Sequence, residues 1–125
     1  MNLKFTSDEH RRYFADLVTG DKKTDAIYYL LGADDELRDH PEEILVDGEL
    51  RKEMLDADWQ TKTSQKYFAL ALNLLYGINL PVSQPANLWN DTTDEVAEIL
   101  YEAVDIYRGG GGYDENMVRC DWLSF

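Results

Sequence analysis

Acidic side chains are the residues of this sequence whose number and spacing point to a function. The 125-residue chain has 25 Asp and Glu residues against 12 Lys and Arg residues, a formal net charge of −13. A domain of this size needs a net charge of only about 2 to 8 to remain soluble. Nucleic acid and anionic membranes repel such a field, whereas a basic protein surface is attracted to it. We therefore predict a basic protein surface as partner, with no direct nucleic-acid binding and no membrane contact.

The acids concentrate in two parts of the chain. Residues 34–58 contain eleven acids and three bases, and a second group repeats at helical spacing from Asp94 to Asp105. Neighbouring acids on a helix are about 5–6 Å apart and repel by roughly 0.2–0.5 kcal/mol per pair, and that spacing is close to the spacing of phosphates along a nucleic-acid strand. A protein that retains such a ridge despite this repulsion is predicted to bind a basic partner. The alternative is that these acids form a solvated face that only aids solubility. The predicted partner-binding residues are Asp34, Asp35, Glu36, Asp39, Glu42, Glu43, Asp94, Glu95, Glu98, Glu102 and Asp105.

Residue types that support catalysis or metal binding are sparse. The two histidines, His10 and His40, have no second histidine or cysteine at zinc-ligand spacing. The single cysteine, Cys120, lies between a base and an acid, whose effects on a thiolate oppose each other. The glycines at 109–112 lack the Lys and the Ser or Thr of a phosphate-binding loop. We expect a non-enzymatic protein without metal or cofactor.

An alternative function is a small-ligand binder or enzyme with a pocket around Trp59 and Gln60. Such a pocket would also contain His10 and His40. The structural interpretation of the same region is that Trp59 packs ahead of a helix whose first turn is capped by hydroxyl groups. We favour the structural interpretation, and we expect His10 to lie at the edge of the core.

Apolar periodicity predicts an all-α fold, a single compact domain of five to six helices. Residues 6–9 and 92–95 match capping boxes, and each is followed by apolar residues at helical spacing. A short helix is expected over residues 24–31, ending at a left-handed Gly32. Short helices with a turn at residues 47–48 are expected in the first acidic segment. Residues 63–76 are apolar on nearly every side, which is typical of a buried central helix.

The four glycines at 109–112 end the helical part, because consecutive glycines lose too much entropy to continue a helix. We assign residues 1–108 to a helical domain and residues 109–125 to an irregular, glycine-led C-terminal tail docked on it. A third hypothesis, a structural homodimer, would use Trp89, Trp122 and Phe125 as apolar contacts. One cysteine, no signal sequence and no run of about 20 apolar residues predict a cytoplasmic protein.

Two short motifs are distinctive: Trp59-Gln60-Thr61, followed by Ser64, and Leu-Ala-Leu-Asn-Leu at 70–74. With Leu31 and Gly32, they resemble a family of small uncharacterised proteins, a domain of unknown function, from phages and mobile elements of low-GC Gram-positive bacteria. The resemblance covers about residues 5–107, and the glycine run and tail depart from its pattern. It implies no activity and no catalytic residues. It does imply a phage context, in which small acidic proteins often block a host factor such as a nucleic-acid-binding or CRISPR-type defence protein.

Overall fold

The computed structural model describes residues 3–78 and 92–109, which form a mostly helical domain. Its helices are α1 (Asp8–Leu17), α2 (Lys22–Gly32), α3 (Asp35–Asp39), α4 (Pro41–Ile44), α5 (Lys62–Tyr76) and α6 (Asp94–Tyr107). A small antiparallel hairpin of β1 (Leu45–Val46) and β2 (Glu49–Leu50), then a 3₁₀ helix (Lys52–Asp56), connect α4 to α5. The predicted all-α fold of five to six helices is confirmed, and the hairpin is an addition to it. The predicted docking of the tail lies outside the described residues, apart from Gly109.

Helices α2 and α5 share the interior. Helix α2 packs against α1, α5 and α6, and seven of its eleven residues are buried. Helix α5 buries Ser64 and every residue from Tyr67 to Leu72, which confirms the predicted burial of this apolar helix. Its last turn is more open, since Leu75 and Tyr76 are 40% and 43% exposed. None of the described helices is long and apolar enough to cross a membrane.

The start of α1 differs from the prediction by one residue. Ser7, and not Thr6, is the N-cap, and its hydroxyl accepts the backbone N–H of His10 at 3.1 Å. Thr6 has other partners, because its backbone N–H donates to His10 Nδ1 at 3.0 Å and its hydroxyl donates to the Ala33 carbonyl at 2.9 Å. The capping box predicted at residues 6–9 is therefore wrong, since tertiary contacts to α2 occupy Thr6.

The N-cap of α6 is also one residue later than predicted, whereas α5 begins where hydroxyl residues were predicted to cap it. Thr93 caps α6 by accepting the Val96 N–H at 3.3 Å, so the box predicted at residues 92–95 is wrong by one residue. Thr61 caps α5, and Ser64 completes a reciprocal pair: Ser64 N–H donates to Thr61 at 3.0 Å and Thr61 N–H donates to Ser64 at 2.8 Å. The structural interpretation of these two hydroxyls as helix caps is confirmed.

The turn predicted at residues 47–48 is confirmed as the tip of the hairpin. Asp47 and Gly48 both have positive φ, 53° and 79°, as a two-residue hairpin turn of the right twist requires. The register pairs Leu45 with Leu50, and Leu50 is buried in the core. The acidic segment therefore remains attached to the core at both ends of this turn.

Gly32 is a helical residue that permits close approach of α1, so the predicted left-handed helix end is wrong. A Cβ atom at Gly32 would lie 2.5 Å from Tyr13 Cδ1 and 3.2 Å from His10 Cδ2. Helix α2 does end at Gly32, but its C-cap residue, Ala33, has right-handed helical backbone angles. The glycine is needed for the space it leaves between two helices.

Replacing Gly32 with alanine is therefore expected to lower the free energy of unfolding by about 2 kcal/mol, through overpacking against Tyr13. A glycine in an uncrowded helix gives the opposite sign, since alanine there stabilises by roughly 0.5–1 kcal/mol. Urea denaturation of the two proteins measures the difference. An equal or higher stability of the alanine variant would contradict the packing role.

Candidate acidic interaction surface

The first acidic group lies on α3, α4 and the residue that caps α3. The Asp34 carboxylate accepts the Glu36 N–H at 2.9 Å and so fixes the start of α3. Burial raises the pKa of Asp34, and the nearby Glu36 charge raises it further, against backbone hydrogen bonds that lower it. Asp34 is therefore a structural acid at the inner edge of the group.

The outer acids of this group differ in whether a base is near them. Asp35 forms an ion pair with Arg38, and Arg38 also donates to the Gly32 carbonyl at 2.6 Å. Glu43 lies 3.8 Å from His40. Asp39 and Glu42 are exposed, and neither forms an ion pair with any residue that the structure describes. This part of the chain presents negative charge outward.

The second acidic group lies on the outer side of α6. The opposite side of this helix is buried through Ile99, Leu100, Ala103 and Ile106. Asp94, Glu95, Glu98 and Asp105 are exposed and Glu102 is half-buried. Burial, and then the charge of Asp105, raises the pKa of Glu102. The 3.6-residue period thus places the predicted ridge on the solvent side of the helix.

Lys4 is the one basic residue paired with this ridge among the described residues. Its ammonium lies 2.7 Å from the Glu98 carboxylate, and the two side chains are 60% and 50% exposed. The hydrogen bond to Glu98 and the charges of Glu98 and Glu102 raise the pKa of Lys4. An ion pair this exposed contributes little to stability. Sequence reasoning missed it, because 94 positions separate the two residues.

One acid from each of the two groups acts on the buried phenol of Tyr67 in α5. Burial is the main cause that raises the pKa of the Tyr67 phenol, and the charges of Asp34 and Glu95 raise it further. Helices α3 and α6 each pack on α5. Asp34 and Glu95, 61 positions apart in sequence, thus lie on or next to helices that pack on the same helix, α5.

The eleven predicted residues together are called the acidic surface below. Within residues 3–78 and 92–109, Asp35 and Glu98 form ion pairs with Arg38 and Lys4, and Glu43 lies 3.8 Å from His40, which is a charged partner only when it is protonated. The other eight form no ion pair in that part of the chain, although the Arg38 charge acts on Asp34 and the Lys4 charge acts on Glu102. The arrangement is thus not one in which each carboxylate is neutralised by a neighbouring base.

A family model matches residues 1–119 of this chain, and its description is DUF6075, a family of unknown function. The chain belongs to the DUF6075 family. The resemblance to a domain of unknown function is thereby confirmed, but its expected limits were wrong, because the match continues through the glycines at 109–112 to residue 119. No curated protein and no solved structure matches the chain.

The Trp59-Gln60-Thr61 motif of this DUF6075 chain holds the start of α5 against the acidic segment. The Gln60 amide donates to the Met54 carbonyl at 3.0 Å and accepts the Ser64 hydroxyl. Trp59 stacks on His40 with ring centroids 4.0 Å apart and an angle of 3° between the planes. The motif therefore links the acidic segment to the helix that carries Tyr67.

The two histidines have separate surroundings. His40 borders a cavity of 470 Å³ whose other lining residues are Asp39, Pro41, Glu42 and Glu43. His10 is fully buried and contacts Thr6, Tyr29 and Phe5, so it lies deeper than the predicted core edge. In the described part of the DUF6075 chain, no group of three or more His, Cys, Asp or Glu residues is placed to hold a metal ion.

Proposed function

We propose that this protein is a non-enzymatic binding protein whose acidic surface engages a basic surface on another protein. The observation that supports this most directly is that eight of the eleven carboxylates, five of them exposed, form no ion pair with any residue that the structure describes. Uncompensated like charges repel each other, and a cationic partner relieves that repulsion on binding. Their combined field also accelerates encounter with such a partner.

The partner is a nucleic-acid-binding protein of the bacterial host, and the acidic surface occupies its nucleic-acid site as a mimic. Two features support this identification. The exposed acids of α6 follow one another at about 5–6 Å, similar to backbone phosphates, and proteins that bind nucleic acid carry extended basic grooves. The resemblance to phage and mobile-element proteins adds a reason for inhibition in the host cytoplasm, with CRISPR-type defence proteins as one class of target.

Removing charge from the acidic surface is expected to slow association with this partner. The test variant carries Asp39→Asn, Glu42→Gln, Glu95→Gln and Asp105→Asn. The probe is the set of host proteins retained on the immobilised wild-type chain at low salt and eluted by salt, each then purified. Association rates at about 0.15 M salt should fall by about tenfold for the variant, because steering depends on local potential. A DNA or RNA displacement assay with the same protein tests the mimicry.

The control variant loses the same charge elsewhere, through Asp16→Asn, Asp47→Asn, Glu49→Gln and Asp56→Asn. All four residues are exposed, and both variants have four fewer negative charges than the parent. The control should associate at nearly the parental rate. Equal slowing by both variants would mean that association depends only on net charge, which would refute a localised binding surface. Retained proteins that bind no nucleic acid would refute the mimicry while leaving a basic-surface binder.

A further inference from the structure

Tyr101 is the most exposed of the large apolar side chains in the described residues, and it lies among the acids of α6. It is 61% exposed, against 43% for the next. Glu98 precedes it by three residues and Asp105 follows it by four. Residues at these spacings lie on the same side of a helix, with Cβ atoms about 5–6 Å apart. An exposed phenol ring therefore lies between two carboxylates on the outer side of α6.

Two basic residues lie beside these acids without cancelling their charge. The Lys4 ammonium is 2.7 Å from the Glu98 carboxylate, so this side of the helix already accepts one cationic side chain. Arg108 is the C-cap residue of α6 and forms no ion pair with any residue that the structure describes. Because α6 carries five acids, the net charge on and beside the helix remains negative and attracts a further cation.

Asp105 is in an unfavourable position for a carboxylate. It is exposed and forms no ion pair within the described part of the chain. It belongs to the last turn of α6, which contains no basic residue and where the helix dipole disfavours negative charge. The Asp105 charge also raises the pKa of Glu102, so the two carboxylates repel each other. A cation bound at Asp105 would relieve both effects.

An arginine side chain matches this combination of groups better than a lysine side chain does. A guanidinium is planar, stacks on an aromatic ring and donates several hydrogen bonds to a carboxylate, whereas an ammonium is a compact and strongly hydrated charge. Stacking requires the cation to lie within about 6 Å of the ring centroid, and a carboxylate one turn away can accept its N–H groups. Tyrosine and arginine are also enriched among the residues that contribute most to binding at protein interfaces.

We propose that Tyr101 and Asp105 bind an arginine side chain of the basic partner, with the guanidinium stacked on the phenol ring and paired with the carboxylate. The proposal rests on the proposed function, because it names the side chain that the acidic surface receives at this position. The acids attract arginine and lysine alike, and the Tyr101 ring gives arginine its advantage. Partners with arginine-rich basic surfaces are therefore preferred to partners with lysine-rich ones.

Hexa-arginine and hexalysine peptides measure this preference in the full chain. Tyr101→Leu removes the ring and keeps an apolar residue of good helix propensity, and Tyr101→Phe keeps the ring as the matched control. The ratio of hexa-arginine to hexalysine affinity, measured by fluorescence anisotropy at about 0.05 M salt, should fall about threefold in Tyr101→Leu and keep the parental value in Tyr101→Phe. Asp105→Asn should weaken the binding of both peptides. When Asp105→Asn is already present, Tyr101→Leu should lower the ratio by clearly less, because the two residues hold one guanidinium.

Three outcomes would overturn this arginine-binding position. The first is an unchanged ratio in Tyr101→Leu. The second is an equal fall in Tyr101→Phe, which would assign the effect to the hydroxyl and not to stacking. The third is a full effect of each substitution in the double variant, which would mean that the two residues act on separate groups. Failure of the proposed function would be recognised separately, because the acidic-surface variant with four neutralised acids and its four-acid control would then bind both peptides equally.

Discussion

Acidification from pH 7 to pH 4 is expected to lower the free energy of unfolding by about 3 kcal/mol through His10 alone. His10 has no exposed surface, and its burial lowers the pKa from 6.5 to about 4. In the unfolded chain the imidazole binds a proton below about pH 6.5, but in the folded chain it does not until about pH 4. The unfolded state therefore binds more protons, and stability falls as the pH decreases through this window.

The contacts of the ring explain why the folded protein keeps it neutral. Nδ1 accepts the Thr6 N–H at 3.0 Å, so it carries no proton, and Nε2 then donates to the Tyr29 carbonyl at 2.8 Å. A second proton on Nδ1 would face the Thr6 N–H donor. The Phe5 and Tyr29 rings lie 5.0 Å and 4.8 Å from the imidazole and exclude the water that would hydrate a cation. The Arg38 charge lowers the pKa of His10 further.

Urea denaturation at several pH values between 7 and 4 measures this dependence. The His10→Gln variant does not titrate at this position, so its unfolding free energy should fall by about 3 kcal/mol less than that of the parent over the same range. His40→Gln, which removes the other imidazole, is the matched control. Carboxylates also titrate near pH 4, so the difference between parent and variant is the quantity to compare. Parallel curves for the parent and His10→Gln would disprove the role of the buried imidazole.

Local sequence signals predicted the helices well and their contacts poorly. The buried helix α5 and its Thr61 cap followed from apolar composition and hydroxyl spacing. The Thr6 cap failed, because the Ala33 carbonyl, 27 residues away, takes its hydroxyl. Gly32 was predicted to end its helix in a left-handed conformation. Its packing against Tyr13 could not be predicted, because it depends on how two helices meet, which local spacing does not encode. Short capping motifs cannot distinguish neighbouring hydroxyls that compete for the same role.

The acidic surface, like the helices, was partly predictable from the sequence and depends partly on the fold. Periodicity was sufficient to place the α6 acids on one side of their helix, because the apolar residues between them define the buried side. The action of the Asp34 and Glu95 charges on Tyr67 depends on the packing of α3 and α6 on α5. In the sequence Tyr67 is one aromatic residue of an apolar helix, and nothing there relates it to the two acidic groups. Composition therefore predicted that acids would be exposed, and only the fold relates one group to the other.

Asp25 is the acid whose removal should be most damaging, although nothing in its spacing distinguished it from surface acids. It is fully buried in α2. Its carboxylate accepts the Thr19 N–H at 2.8 Å, the Thr19 hydroxyl at 3.0 Å and the Gly20 N–H at 2.9 Å. These bonds fix the connection between α1 and α2, where Gly20 has a φ of 90°. One side chain thus holds the α1–α2 connection in place.

Replacing Asp25 with alanine is expected to lower the free energy of unfolding by about 3 kcal/mol, because three donors lose a charged acceptor inside the protein. Replacing Asp25 with asparagine should lower the free energy of unfolding by less, since asparagine retains one acceptor oxygen. Asp21→Ala is the control: Asp21 is an exposed cap of the same helix that accepts the Thr24 N–H at 3.1 Å, and loss of a cap costs about 1 kcal/mol. Denaturation of the three variants gives the order, and equal losses for Asp25→Ala and Asp21→Ala would refute it.

Because Asp25 points inward, Asp25→Asn should leave partner association unchanged in molecules that remain folded. This result would separate acids that hold the fold from acids available to a partner.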